Sequence, residues 1–459
     1  MSVSEDKVKL MRDAPIPEVL MKLGIPTMIG MVVSALYNVV DAYFVGGLGT
    51  TQMGAVSVAF PIGQVIVGLG MMFGSGGASY LSRLLGEGED KRADEVASTA
   101  LITGLAVGIV IIAAALCFMD KILLGLGATV TILPYARAYA VIYVASSILN
   151  IFNVTMNNII TAEGAAKRAL VAMLVGCGGN AILDPLFIYT FGWGIEGAAW
   201  ATAAAQALSA ILYIDYIAKG KSHFTFAARN IRPNATDYGK ILSVGFPILI
   251  FQFLTSVTLG LTNTAANRYG DSAVAAMGIA TRILTLGTYV IFGYMKGFQP
   301  VAGYNYGARN YARLDEATNT SLKWATGFCA VVAALMIAIP KPIIALFSRD
   351  AAVLEIGSSA LRANGFLFAL FGFQMMHLSR FLALGKGREG GILSISRQGI
   401  FFIPAILILP RLFGLSGIIW AQPAADALSV CLTAVLASRL DRELKSLKKN
   451  EAEMVERTA

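Results

Sequence analysis

Apolar residues in this chain run in unbroken blocks of about twenty or more, without the one-sided spacing that gives a water-soluble helix its polar face. A block of about 20 residues, rising 1.5 Å per residue, spans the hydrocarbon core of a bilayer as one helix. Dividing the pattern at Gly, Pro and charge clusters predicts twelve spans, near 17–46, 53–82, 96–118, 131–161, 169–190, 195–218, 239–267, 272–305, 316–340, 353–382, 389–410 and 416–438. Several exceed the minimum length, which allows tilt or extension beyond the bilayer but dictates no angle. The expected fold is an all-α integral membrane protein.

Composition narrows the function. Of 459 residues, 56% are apolar and only 14% are charged, against about 25% charged in soluble domains. The mean hydropathy is +0.68. These values exclude a cytosolic enzyme, a secreted disulfide scaffold and a disordered tail protein. Cys117, Cys177, Cys329 and Cys431 all lie inside apolar blocks, with neither metal-ligand spacing nor a paired framework, and read as small apolar fillers.

The net charge of +8 could suggest nucleic acid, but the basic residues sit between the apolar blocks. The two termini and the even-numbered loops carry 24 Lys and Arg, the odd-numbered loops 5. By the positive-inside rule both termini face the cytoplasm. No short cleavable apolar segment precedes the first span, so no signal peptide is expected. The tail 441–459, with alternating acids and bases, reads as a short solvated helix. The predicted location is a membrane, crossed many times.

The chain repeats itself. At an offset of 221, Gly24, Pro26, Gly49 and Gly86 return as Gly245, Pro247, Gly270 and Gly307, and Arg92, Asp94 and Glu95 as Arg313, Asp315 and Glu316. At 220, Arg168, Gly194, Gly197, Trp200 and Ala201 return as Arg388, Gly414, Gly417, Trp420 and Ala421. A constant offset across charged, Trp and Pro positions marks an internal duplication. Six spans per half give both halves the same orientation, as two six-helix bundles related by a pseudo-two-fold axis along the membrane normal. That architecture places a carrier's substrate between the halves. The expected division is an N-terminal lobe 1–218, a cytoplasmic linker 219–237, a C-terminal lobe 238–440 and the tail 441–459.

An ionisable side chain inside a membrane costs roughly 2.5–3.5 kcal/mol on insertion scales and marks function by default. Asp41 lies six residues before Gly47, Asp184 eight before Gly192, and Thr202 eight after Gly194. At 1.5 Å per residue all three reach about 9–12 Å from the outer surface. Tyr37 with Asp41, and Asn180 with Asp184, are spaced i and i+4 and so share helix faces. Two carboxylates, an amide oxygen and a hydroxyl at one depth suit a proton or a small hard cation. Interhelical hydrogen bonding alone does not call for two acids. Arg282, Lys296 and Arg397 either line a cavity in the second half or pair structurally. Glu163 is expected to pair with Lys167 and Arg168, His377 to be a packed histidine, and Asp426 to cap or kink its helix near Pro423.

Three segments, Tyr37–Gly46, Asn180–Pro185 and Gly192–Thr202, resemble the multidrug and toxic compound extrusion (MATE) family, and the similarity covers nearly the whole chain. It is most similar to the prokaryotic branch of DinF-like and staphylococcal-type multidrug exporters, which implies a location in the prokaryotic plasma (inner) membrane. The resemblance implies a twelve-helix antiporter that expels organic cations and other amphipathic compounds against a proton or Na⁺ gradient. It also implies that Asp41, Asn180, Asp184 and Thr202 form the coupling site. Another branch carries essential acids in its spans 7 and 10. Here span 7 has none, and span 10 only Glu355 at its outer end, so coupling is expected through the N-terminal lobe. Tyr37, Gln64, Tyr139, Asn153, Asn157, Arg282 and Lys296 are the candidate substrate-cavity residues. No cofactor, bound metal or nucleic acid is expected, H⁺ is preferred to Na⁺, and the chain is expected to act as a monomer among membrane lipids. The alternative is a flippase for a lipid-linked saccharide, which Arg282, Lys296 and Arg397 keep open. An intramembrane enzyme is disfavoured, because His223 and His377 stand in separate contexts.

Overall fold

The computed structural model describes residues 3–458; Met1, Ser2 and Ala459, assigned above to the N-terminal lobe and the tail, lie outside them. Among the described residues, twelve helices are long and apolar enough to cross a membrane: span 1 Ile16–Gly46, span 2 Thr50–Glu87, span 3 Asp90–Cys117, span 4 Leu133–Ala162, span 5 Ala166–Thr190, span 6 Gly194–Ala218, span 7 Ala235–Asn267, span 8 Asp271–Gly307, span 9 Tyr311–Ala338, span 10 Ala351–Ala383, span 11 Gly387–Phe413 and span 12 Leu415–Lys449. Among the described residues there is no strand. The expected all-α membrane fold is therefore the observed one.

The duplication is visible in the backbone. Short helices Met119–Gly125 and Pro340–Ala345 follow spans 3 and 9 and begin 221 residues apart. Left-handed positions also recur: Gly49 with Gly270, Gly164 with Gly385, and Gly88 with Arg309. Arg309, at φ 56°, is the one described non-glycine residue held there. It keeps a turn that the first half makes with glycine, which alone reaches that region without a Cβ clash.

Glycines weld the two lobes together in the half of the bundle that carries the termini. A methyl group added at Gly293 or Gly297 of span 8 would lie 2.5 Å from the Cα of Met28 or Gly24 in span 1. The pseudo-symmetric contact sets Gly76 of span 2 against the Ile241 carbonyl of span 7, and Gly245 against the Met72 carbonyl. Small residues let these backbones touch, which is how membrane helices associate when burial from water is not available as a driving force. Nearby, Tyr80 of span 2 donates to Asp237 of span 7 at 2.9 Å, Lys240 donates to Tyr80 at 3.2 Å, and Arg92 pairs with Asp237 at 3.2 Å. Toward the other end, a methyl at Gly46, Gly260 or Gly278 would meet nothing within 4 Å.

Two connections differ from the sequence expectation. Asn234 caps span 7 by accepting from the Thr236 amide, so the helix begins at Ala235 and Asp237 is already in its first turn. The tail is not a separate helix but continues span 12 to Thr458. Leu440 and Leu444 are buried, Arg380 bonds Asp441 at 2.6 Å, and Lys386 pairs with Glu443 at 2.6 Å. One apolar face and these pairs dock it, which a reading of its alternating charges alone missed.

Candidate functional site

Asp184 sits where span 5 changes its winding. Pro185 has no amide hydrogen and cannot continue the regular ladder, and the helix widens into a π turn over Leu186–Thr190. Such turns are frequent at functional sites. Asp184 and Asn180 are fully buried, and the Asn180 amide donates to Asp184 Oδ2 across one helical turn. Asp184 Oδ1 and Asn180 Oδ1 are both buried without a hydrogen-bond partner among the described residues. Two oxygens thus remain open to a proton or cation.

Asp41 of span 1, half-buried, lies within electrostatic reach of Asp184. Its charge also reaches Tyr139 and Tyr143 of span 4 and Tyr37 of its own helix. The Tyr37 side chain also interacts with Thr202, which brings span 6 into the same cluster. Tyr139 and Tyr143 stack with centroids 5.6 Å apart. The Tyr189 hydroxyl, on the π turn, donates to the Phe44 carbonyl at 2.6 Å and ties span 5 to span 1. Spans 1, 4, 5 and 6 therefore converge on two carboxylates walled by phenols. Tyr143 was not among the residues singled out from the sequence, although its i, i+4 spacing from Tyr139 places it on the same face.

The remaining cavity candidates disperse. Gln64 is half-buried on span 2. Asn153 donates to the Gln206 backbone and side-chain oxygens at 2.8 and 2.7 Å, so it packs spans 4 and 6 together. Asn157 donates to the Tyr213 hydroxyl at 3.0 Å and accepts from Lys296 Nζ, also at 3.0 Å. That second bond crosses from span 8 to span 4, between the lobes. Arg282 is exposed in the opposite half of span 8.

Three residues left open or assigned locally now have definite partners. Buried Glu163 accepts from the Tyr216 and Ser222 hydroxyls and the His223 amide. It thereby ties the linker to its lobe, a wider role than the expected pair with Lys167 and Arg168. Arg397 and Asp426 bond each other between spans 11 and 12, so Asp426 does more than shape its helix near Pro423. His377 is buried, edge-on to Phe373 with centroids 4.6 Å apart, as a packed histidine should be. Among the described residues no group of three or more His, Cys, Asp or Glu side chains is arranged to hold a metal.

Comparison with known proteins identifies the family of the duplicated helical bundle. The MatE family model matches twice, over residues 26–186 and 247–407, two segments that begin and end 221 residues apart. The multidrug export protein MepA of Staphylococcus aureus (strain MRSA252) is 29% identical over 446 residues, covering 96% of this chain and 97% of that protein. Among solved structures, an outward-facing multidrug resistance MATE family transporter of the MOP superfamily superposes with a TM-score of 0.89 at 30% identity, covering 96% of this chain and 98% of the other. A MATE crystal structure in a bent conformation gives a TM-score of 0.90 at 30% identity, covering 97% and 99%. With both repeats matched, the chain belongs to the MatE family.

Proposed function

We propose that this chain is a multidrug efflux transporter of the bacterial cell membrane, exporting amphipathic organic cations in exchange for protons. The observation that carries the reading is the pair of half-buried Asp41 and buried Asp184, with unpaired oxygens on Asp184 and Asn180, in one lobe of a duplicated bundle. An ionisable pair inside a membrane bundle marks an ion pathway. Coupled carboxylates titrate as a unit and can pass one proton on and off. A hard cation draws on about six oxygens. One open oxygen such as Asp184 Oδ1 is enough for a proton, whereas Na⁺ would need several oxygens drawn to one point. The names of the similar proteins, multidrug exporters and MATE transporters, support the transport class. The lipid-linked saccharide flippase weighed from the sequence loses ground, since Arg397 is neutralised by Asp426 and Lys296 is engaged by Asn157.

The basic excess in the terminal loops assigns the welded end to the cytoplasm. In this reading the lobes part on the outer side, away from the weld. Protons arriving from outside neutralise Asp41 and Asp184, span 1 rearranges around Gly24, Pro26 and Gly30, and the substrate leaves. Coupling requires that protons and substrate favour different conformations, because a ligand with equal affinity for both shifts neither. The test is uptake of a fluorescent organic cation into inverted vesicles, driven separately by a proton gradient and by a Na⁺ gradient. A proton gradient should drive uptake, and Asp41→Asn or Asp184→Asn should abolish it while the protein still inserts. Uptake by either variant at the wild-type rate would sink the proposed coupling site, and no uptake by wild type under either gradient would sink the antiporter.

A further inference from the structure

The most developed polar constellation outside the Asp41–Asp184 site lies in the other lobe. Arg397, in the π turn Ser396–Phe402 of span 11, donates through Nε to Asp426 Oδ1 at 2.8 Å and through a terminal nitrogen to Oδ2 at 3.4 Å. Gln422 donates to the same Oδ1 at 2.8 Å. The guanidinium carbon sits 4.9 Å from the centre of the Phe371 ring. A planar delocalised cation is thus held by an aromatic face and a carboxylate edge, with the Arg397 and Asp426 side chains only 12% and 14% exposed. Aromatic faces attract such cations most strongly when water is displaced.

The fold itself does not require this pair. At the repeat offset of 220, Arg397, Gln422 and Asp426 correspond to Cys177, Thr202 and Gln206, all neutral, and the N-terminal lobe forms the same bundle without them. A buried ion pair is also weak ground for stability, since desolvation cancels much of the attraction. Rings run from the pair to partly exposed positions on spans 8 and 7: the Phe371 and Phe292 centroids lie 6.4 Å apart and those of Phe292 and Phe251 6.2 Å apart, the last two half-exposed. Near the pair in sequence and helix turn, both amide atoms of Gln374, Gln398 Oε1 and Ser429 Oγ are buried without hydrogen-bond partners among the described residues. Ser429 is one turn from Asp426, and Gln374 one turn from Phe371.

We propose that Asp426, Gln422 and Phe371 form a binding site for a planar organic cation, which the Arg397 guanidinium fills as a tethered occupant until a substrate displaces it. This rests on the reading that the exported compounds are organic cations. The attached occupant gives empty Asp426 a counter-ion and sets a threshold, because only a cation that outcompetes the guanidinium enters. Apparent affinity is then the intrinsic affinity reduced by the fraction of time Arg397 is away.

Ethidium binding to the purified full-length protein in detergent, read by fluorescence anisotropy, tests the site. Arg397→Ala should tighten binding by about tenfold or more, because the internal competitor is gone, whereas Asp426→Asn should weaken it by about tenfold. Phe371→Leu should also weaken it. Arg397→Gln, which keeps a donor but not the charge, should tighten binding and serves if the alanine variant does not fold, as judged by its melting curve. A merely structural pair predicts the same direction of change for Arg397 and Asp426 variants, or none; either result, with wild type still binding, overturns this proposal alone. Failure of wild type to bind ethidium overturns the organic-cation reading and the site with it.

Discussion

Replacing Gly297 by alanine should open the welded end of the bundle. The added methyl carbon would lie 2.5 Å from the Gly24 Cα, 2.6 Å from its nitrogen and 2.8 Å from the Leu23 carbonyl carbon. All three are backbone atoms, so no rotamer change relieves the clash. Carbon atoms pack at about 3.5–4.0 Å, and spans 1 and 8 must therefore separate by about 1 Å or lose the contact. Overpacking of this kind costs roughly 1–3 kcal/mol, which lowers the population of the closed contact relative to the open one by about 5- to 150-fold. Spin labels at Lys91 and Arg388, both exposed and in different lobes, report that change as a longer inter-label distance once the four native cysteines are replaced. Gly278→Ala is the control, because a methyl there meets nothing within 4 Å and alanine favours the helix by about 1 kcal/mol. An unchanged distance distribution in Gly297→Ala, or an equal shift in Gly278→Ala, would refute the assignment of the glycine contacts as the weld.

Other substitutions probe separate parts of the structure. Arg309→Gly should stabilise the protein by about 1 kcal/mol, seen as a higher melting temperature, because it relieves a left-handed backbone that costs about 1–2 kcal/mol for a residue with a Cβ. Glu163→Ala removes the acceptor for Tyr216, Ser222 and the His223 amide. It should cost about 1–3 kcal/mol locally and speed tryptic cleavage after Lys219 and Lys221; an unaltered cleavage rate would remove the linker-anchoring role. Arg380→Ala breaks a bond to Asp441 from a buried guanidinium and should cost about 1.5–3 kcal/mol. Lys386→Ala, whose partner Glu443 is half-exposed, should cost under about 1 kcal/mol in the same melting assay.

Much of this molecule is legible in its sequence, for physical reasons. A bilayer demands continuous apolar length, so the spans declare themselves; span 6, read as 195–218, begins at Gly194. The duplication declares itself because turn geometry needs the same residues twice, as at Gly164 and Gly385. Depth counting brought Asp41, Asp184 and Thr202 to one level, and the structure gathers them through Tyr37. The partners of Arg397 and Lys296 stayed hidden, since Asp426 and Asn157 belong to other helices and no periodicity links them. The bond from the Asn153 amide to Gln206 was equally hidden, because it depends on how spans 4 and 6 rotate against each other. The docked tail was missed because its buried Leu444, one turn beyond buried Leu440, lies in a charged segment whose partners are on spans 9 and 10.

The central claim is that Asp41 and Asp184 exchange protons for substrate. Its most direct test counts the protons released when ethidium is added to the purified protein in weakly buffered detergent solution containing a pH indicator. The account predicts release by wild type in proportion to ethidium bound, and none from Asp41→Asn/Asp184→Asn at equal ethidium occupancy. Release that persists undiminished in the double variant, or ethidium binding by wild type without any release, would contradict it.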